Sequence, residues 1–129
     1  MKKQLRERIY QKYDGHCAYC GCKQQKGWHI EHVKPIKRVP KRFQYGVWED
    51  IEMEQPENNT FANMVPACPS CNINKHSMSV EEFRTAIHDY MKHLNNISTQ
   101  YKIAKRFGLV NETGIKVKFY YEQFSDKEA

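Results

Sequence analysis

Cys17-Ala-Tyr-Cys20-Gly21 and, further on, Asn63-Met-Val-Pro-Ala-Cys68-Pro-Ser-Cys71-Asn72-Ile-Asn-Lys75-His76 are the stretches that decide the fold. Each carries a Cys-x-x-Cys pair, and residues 21–67 separate the two pairs. Two such pairs in one short chain have the spacing of metal knuckles, and four thiolates make a closed tetrahedral shell for one zinc ion. A closed shell leaves no place for water, so Cys17, Cys20, Cys68 and Cys71 point to a structural zinc. In a chain of 129 residues the buried core is modest, and a metal that ties two remote stretches adds needed stability. Of the five cysteines, Cys22 is left over and reads as a free thiol beside the metal.

Between and after the pairs lie His29-Ile-Glu31-His32, Asn63, Asn72 and His76. These are hard-metal ligands and a candidate general base, which suits hydrolysis of a phosphodiester. The segment 28–33 alternates Trp28 and Ile30 with His29 and Glu31, reads as a strand, and runs into Pro35. Met64-Val65 reads as a second short strand. The second knuckle then leads into a short helix, where Asn72 and His76, four residues apart, would share a face. Glu31 and His32 would converge on one site only if the chain bends before Pro35. His29 reads as a hydrogen-bonded strand residue, and His16, His88 and His93 as surface histidines.

The rest of the chain frames this unit. Leu5, Ile9 and Tyr13 have helical spacing, and Asp14-Gly15 ends that helix. Residues 34–60 hold three prolines, a basic run at Lys37, Arg38, Lys41 and Arg42, and no clean period, which predicts an irregular insertion. Ser79-Val-Glu-Glu82 is a capping box. It opens a helix with Phe83, Ile87, Tyr90, Met91 and Leu94 on one face, expected to be core. A further helix is expected over about 98–107, stopped by Gly108, and the alternation of Ile115, Val117, Phe119 and Tyr121 predicts a last strand. The expected fold is α+β, one domain over 1–129. It has a core at about 14–78, the insertion at 34–60, an N-terminal helix, and a C-terminal extension at about 79–129 of helices plus a short strand.

The formal net charge is +6. Four thiolates and one Zn²⁺ would bring it nearer +4, mildly basic and consistent with a polyanion partner. The distribution is more telling. Residues 1–42 hold 12 Lys and Arg against 3 acids, and residues 43–60 hold none against 5. Lys37, Arg38, Lys41 and Arg42, interleaved with Phe43, Tyr45 and Trp48, are therefore the expected DNA-binding residues. The start, Met1-Lys-Lys-Gln-Leu-Arg-Glu-Arg8, is charged rather than apolar, and no run of about 18 apolar residues occurs, so a cytoplasmic protein without a membrane span is expected.

Together these residues resemble the HNH endonucleases of the ββα-metal, or His-Me finger, group. The match runs over Cys17-x-x-Cys20-Gly21, Ile30-Glu31-His32-Val33-x-Pro35, and Asn63-Met-Val65-Pro-Ala-Cys68-x-x-Cys71-Asn72-x-x-Lys75, about residues 1–95. The resemblance implies a metal-dependent endodeoxyribonuclease with one catalytic Mg²⁺ or Mn²⁺. In it His32 is the general base, and Glu31 is a metal ligand in a place usually held by Asp. Asn63 braces the loop beside His32, and Asn72 or His76 completes the metal site. The spacing from His32 to Asn63 is longer than usual in that group, and its connecting Gly-Gly is absent. One active site per chain means that cutting both strands would take a dimer or two visits.

Two other readings compete. A zinc-ribbon adaptor that binds nucleic acid without cleaving it accounts for the cysteines and the charge, but not for Glu31-His32 and Asn72-x-x-x-His76. A zinc nucleobase deaminase would use His29-Ile-Glu31 with Cys68-x-x-Cys71, but Pro66 is one residue out of place and Cys17, Cys20, Asn63 and His76 are left without a role.

Overall fold

The computed structural model describes residues 2–128, with side chains described through residue 124. Helix α1 spans Lys2–Gln11 and is followed by strand β1, His29–His32. Strands β2, Lys37–Gln44, and β3, Val47–Glu54, come next, and two short 3₁₀ turns at Pro56–Asn58 and Phe61–Asn63 lead to β4, Met64–Ala67. Then come α2, Pro69–Lys75; α3, Val80–Ile97; α4, Thr99–Arg106; and α5, Tyr120–Glu128.

Strands β1 and β4 pair antiparallel, with His29 opposite Ala67 and His32 opposite Met64. Helix α2 begins directly after β4, so the chain from β1 through β4 to α2 forms a two-strand, one-helix unit with β2 and β3 inserted between its strands. The core sits where this unit meets the first knuckle. Cys17, Ala18 and Tyr19 are buried there with Val65, Ala67, Phe83 and Phe119. The Tyr19 ring meets Phe83 and Phe119 edge-on at 5.6 and 5.4 Å, and those two rings stack at 5.5 Å. Edge-to-face and offset stacking are the favoured geometries for aromatic rings, so one cluster supplies much of the packing in a small core. Helix α1 closes one side through buried Ile9, and Lys12, just past its end, donates its ammonium to the carbonyls of Phe61 and Met64.

The helix signals hold. Asp14 and Gly15 take positive φ after α1, at +52° and +79°. Ser79 and Glu82 form the reciprocal capping box of α3. Ser98 caps α4, and Gly108 follows it at φ +77°. No helix among the described residues is long and apolar enough to cross a membrane.

Three expectations are corrected. Residues 34–60 are not irregular: β2 and β3 form a regular antiparallel hairpin, with Lys37 opposite Glu54 and Phe43 opposite Trp48. Its turn, Tyr45-Gly46, has both φ values positive, at +53° and +76°, the geometry of a two-residue hairpin loop whose twist matches its strands. Both faces of the ribbon are largely exposed, so no alternation of polar and apolar residues marks it in the sequence. Pro40 is tolerated because a two-stranded ribbon consists only of edge strands.

The second correction is the final strand. Residues 115–119 belong to no helix or strand. Instead Tyr120 N–H donates to Tyr19 O and Tyr121 N–H to Ala18 O, docking the first residues of α5 on the first knuckle. Of the alternating residues, Phe119 is buried and Val117 half-buried but Ile115 is exposed, and a strand also needs a ladder partner. Third, the α3 stripe is core only in its first half. Phe83 is buried, whereas Tyr90, Met91 and Leu94 are exposed because the helix runs on past the body of the protein.

Arg84 holds the C-terminal segment in place. Its guanidinium grips both carboxylate oxygens of Glu122 at 2.9 and 3.0 Å and donates to Val117 O at 2.7 Å. Glu122 also accepts from Phe119 N–H at 2.9 Å, capping α5. Hydrogen bonds from Arg84 hold the Glu122 carboxyl below its ordinary 4.5. A depressed carboxyl stabilises the fold above its unfolded value and ceases to as pH falls through the folded one. Glu122→Gln should therefore lower the thermal midpoint at pH 7, and the gap to wild type should close below pH 4.5. Calorimetry across pH checks this; a gap that stays constant into acid would refute the clamp.

Candidate metal centre and its neighbours

The first knuckle turns tightly at residues 17–20, and Gly21 follows at φ +79°. A side chain at Gly21 would strike the Tyr120 ring at 2.6 Å, so both φ and space demand glycine here. The second knuckle is the start of α2: Cys68 is its N-cap and accepts from Cys71 N–H, while Pro69 takes the first helical position. The two knuckles bring the sulfurs of Cys17, Cys20, Cys68 and Cys71 within 4.8 Å of one another. Cys20 Sγ and Cys68 Sγ are 3.8 Å apart. A tetrahedron with Zn–S bonds of ~2.3 Å has edges of ~3.8 Å, so this separation fits a four-thiolate zinc site.

The thiols crowd each other. Cys71 donates to the Cys17 sulfur, which holds Cys17 down to about 4 and Cys71 far above its ordinary value. Burial, with the neighbouring sulfurs, pushes Cys20 up to about 12. Four such groups cannot all ionise without a cation among them, and a divalent metal supplies that charge. Cys22 lies outside the four-sulfur group, exposed, and its carbonyl accepts from Cys17 N–H at 2.8 Å.

The residues expected to do chemistry surround the place where β1 meets α2. His32 ends β1, half-buried, with Nε2 3.0 Å from Asn59 Oδ1. Asn63 laces the chain that follows His32. Its Oδ1 accepts from Lys34 N–H at 2.9 Å, its amide donates to Lys34 O and Asn58 O at 2.8 and 2.7 Å, and its carbonyl accepts from Val33 N–H at 3.0 Å. Asn58 adds a bond to Pro35 O. The segment 33–35 is thus fixed by side chains rather than by a third strand.

Glu31 points the opposite way from His32, as strand alternation requires. It is 6% exposed; Tyr19 O–H donates to one carboxylate oxygen, and Lys75 Nζ lies 3.1 Å from the other. Lys75 is fully buried and also donates to His32 O at 3.2 Å. Burial pushes the Glu31 carboxyl up, opposed by Lys75 and the Tyr19 hydroxyl. Glu31, Asn72 and His76 were expected to hold a hard cation jointly, and the structure places them apart in two respects. Glu31 faces the interior and a buried ammonium. His76 is not on the α2 face: it caps the helix at φ +50°, exposed, with Nδ1 3.1 Å from Ser77 Oγ. Asn72 is half-buried within α2. Among the described residues, the four cysteines are the one group of three or more Cys, His, Asp or Glu side chains drawn close enough to hold a metal.

In the insertion, the hairpin register zips the basic run and the acidic stretch together. Arg42 pairs with Glu49 at 2.8 Å and Asp50 at 3.1 Å, and Lys41 with Glu52 at 3.9 Å. Residues 37–54 hold four basic and four acidic side chains, so the ribbon as a whole carries no excess positive charge. Lys37 and Arg38 are exposed at the base of the ribbon. Phe43, Tyr45 and Trp48 lie near its tip, exposed, with the Phe43 and Trp48 rings 5.1 Å apart.

Sequence reading missed Lys75, Tyr19 and Asn59. Lys75 was visible three residues after Asn72, and Tyr19 sits inside the first Cys-x-x-Cys, yet nothing local links either to Glu31. Compared with known proteins, the chain matches no family model, no curated protein and no solved structure.

Elemental analysis of purified protein should find about one zinc per chain. Cys17→Ser should lose the metal and most of the cooperative unfolding transition, because metal binding here is folding free energy. Cys22→Ser should retain both. A zinc-free Cys17→Ser protein with a wild-type melting curve would remove the structural role.

Proposed function

We propose that this chain is an endonuclease of the HNH type, hydrolysing DNA phosphodiester bonds with His32 as general base. The observation that carries the reading is the joined set of β1, β4 and α2. It presents the His32 ring at the end of β1, while Asn63 and Lys75 fix the backbone on either side of it. A proton acceptor held by its neighbours on a fixed backbone is what positioning for catalysis needs.

His32 would take the proton of the attacking water. An amide oxygen accepts and does not donate, so with Asn59 Oδ1 at Nε2 the ring proton lies on Nε2 and the Nδ1 lone pair is left to receive another. The imidazolium that forms keeps its Nε2–H bond to Asn59. In-line displacement at phosphorus would break the bond to the 3′ oxygen. Mg²⁺ or Mn²⁺ is the expected cofactor of such chemistry and would supply charge at the phosphate. Glu31, Asn72 and His76 do not fit a closed cage for it: one is neutralised by Lys75, one is a neutral amide, and one is turned outward.

The DNA surface divides differently from the expectation. Lys41 and Arg42 already have acidic partners across the ribbon, so they offer phosphate little uncompensated charge. Lys37 and Arg38, beside the catalytic strand, are the better candidates. The ribbon could also lie in a major groove, which admits a two-stranded β structure.

Two measurements test this. Supercoiled plasmid should be cleaved with Mg²⁺ or Mn²⁺, and His32→Ala should cut at least ~10²-fold more slowly at unchanged zinc content and melting temperature. DNA binding without cleavage would favour the zinc-ribbon adaptor instead. In binding titrations, Lys37→Ala/Arg38→Ala should flatten log K against log salt by up to ~0.9 for each phosphate no longer neutralised, whereas Lys41→Ala/Arg42→Ala should change the slope less. The reverse order would return the DNA-binding side chains to the paired end of the ribbon.

A further inference from the structure

We propose that Glu31 is not a ligand of the catalytic cation but the buried counter-ion of Lys75, and that this pair is the bolt joining strand β1 to helix α2. The role denied to Glu31 at the cation rests on the nuclease reading; the ion pair does not.

Lys75 has no exposed surface, and Glu31 is 6% exposed. A charge that deep persists only if paired and hydrogen-bonded, since an unpaired buried ammonium is strongly penalised. Lys75 meets that need through Glu31 Oε1 at 3.1 Å and His32 O at 3.2 Å. Its ammonium also faces the Tyr19 ring, 5.8 Å from the centroid. Tyr19 O–H donates to the second carboxylate oxygen. Each oxygen of Glu31 thus has a donor, and the donors come from the first knuckle and from the last residue of α2. Three segments that are remote in sequence meet on one carboxylate.

This geometry suits a cation ligand poorly. A divalent ion on Glu31 would share the carboxylate with an ammonium that no water screens. A ligand must also face the substrate, whereas strand alternation sends Glu31 inward wherever His32 faces out. What Glu31 does control is the neighbouring backbone, because the ammonium it holds also grips the carbonyl of His32.

The test is a double-mutant cycle on the zinc-loaded full chain, comparing Glu31→Gln, Lys75→Met and the double variant by thermal unfolding. Each single change leaves one buried charge unpaired and should lower Tm by about 10 °C or more. The double change removes both charges and should recover at least about half of the larger loss. A single variant that does not fold beside a double variant that does is the same result in stronger form. Additive losses, a Glu31→Gln protein as stable as wild type, or a double variant no more stable than the worse single one would overturn the pair. The cation is read from the Mn²⁺ concentration giving half-maximal plasmid cleavage. It should stay within about threefold of wild type in the double variant, whereas a rise of about tenfold or more, the scale of a disturbed metal site, would make Glu31 a ligand after all. If wild type cleaves nothing, the nuclease reading fails and the thermal cycle alone decides on the pair.

Discussion

Four sulfurs from two knuckles form the constraint on which the rest of this protein depends. Cys17 and Cys20 stand at the edge of the aromatic core, and Cys68 and Cys71 open helix α2 directly after β4. Bringing them within 4.8 Å of one another places Tyr19 against Phe83 and Phe119 and brings α2 alongside β1. The thiols resist that closeness, since crowding drives their protons on and off unevenly. A divalent cation held among them would turn the repulsion into attraction. In a chain this small, such a clamp would stand in for the core that a larger domain buries.

The interior then divides its polar duties. The thiol cluster joins the first knuckle to the start of α2, and the Lys75–Glu31 pair joins the end of α2 to β1, with Tyr19 touching both systems. Buried ion pairs add little net stability over apolar packing, but breaking one costs about 3–5 kcal/mol. Their value is registry: a pair with one satisfied geometry admits one arrangement of strand and helix. Outside this centre the structure is looser in composition. The β2–β3 ribbon exposes both faces, and the far half of α3 with α4 exposes Leu94, Ile97, Ile103 and Phe107. The buried polar groups lie beside the aromatic core, and many exposed aromatic and apolar side chains lie on the ribbon and on α3 and α4.

His32 and Glu31 illustrate how one strand serves both needs. Adjacent residues face opposite sides, so one ring reaches the surface while its neighbour anchors the interior. The asparagines of the loop before β4 finish the arrangement, because Asn58, Asn59 and Asn63 bond to Pro35, His32 and Lys34 in turn. Asparagine suits this position because its amide donates and accepts at once and can stand in for a backbone partner.

The sequence alone determined what depends on neighbours along the chain. The two knuckles, the capping box at Ser79, the helix stops at Gly15 and Gly108, and the strand ending at His32 all follow from local spacing and from residue types with few alternatives. Tertiary structure decided whatever depends on a distant partner. The ribbon at 37–54 is invisible to burial patterns because neither face is buried, and its charge pairs appear only once the register is known. Residues 115–119 join no sheet, because the groups waiting for the chain that follows them are the backbone carbonyls of Ala18 and Tyr19. Above all, nothing near Glu31 in sequence shows that the charge facing it is Lys75, 44 residues further along. A carboxylate's role is set by the charge that faces it, and spacing along the chain does not encode that charge.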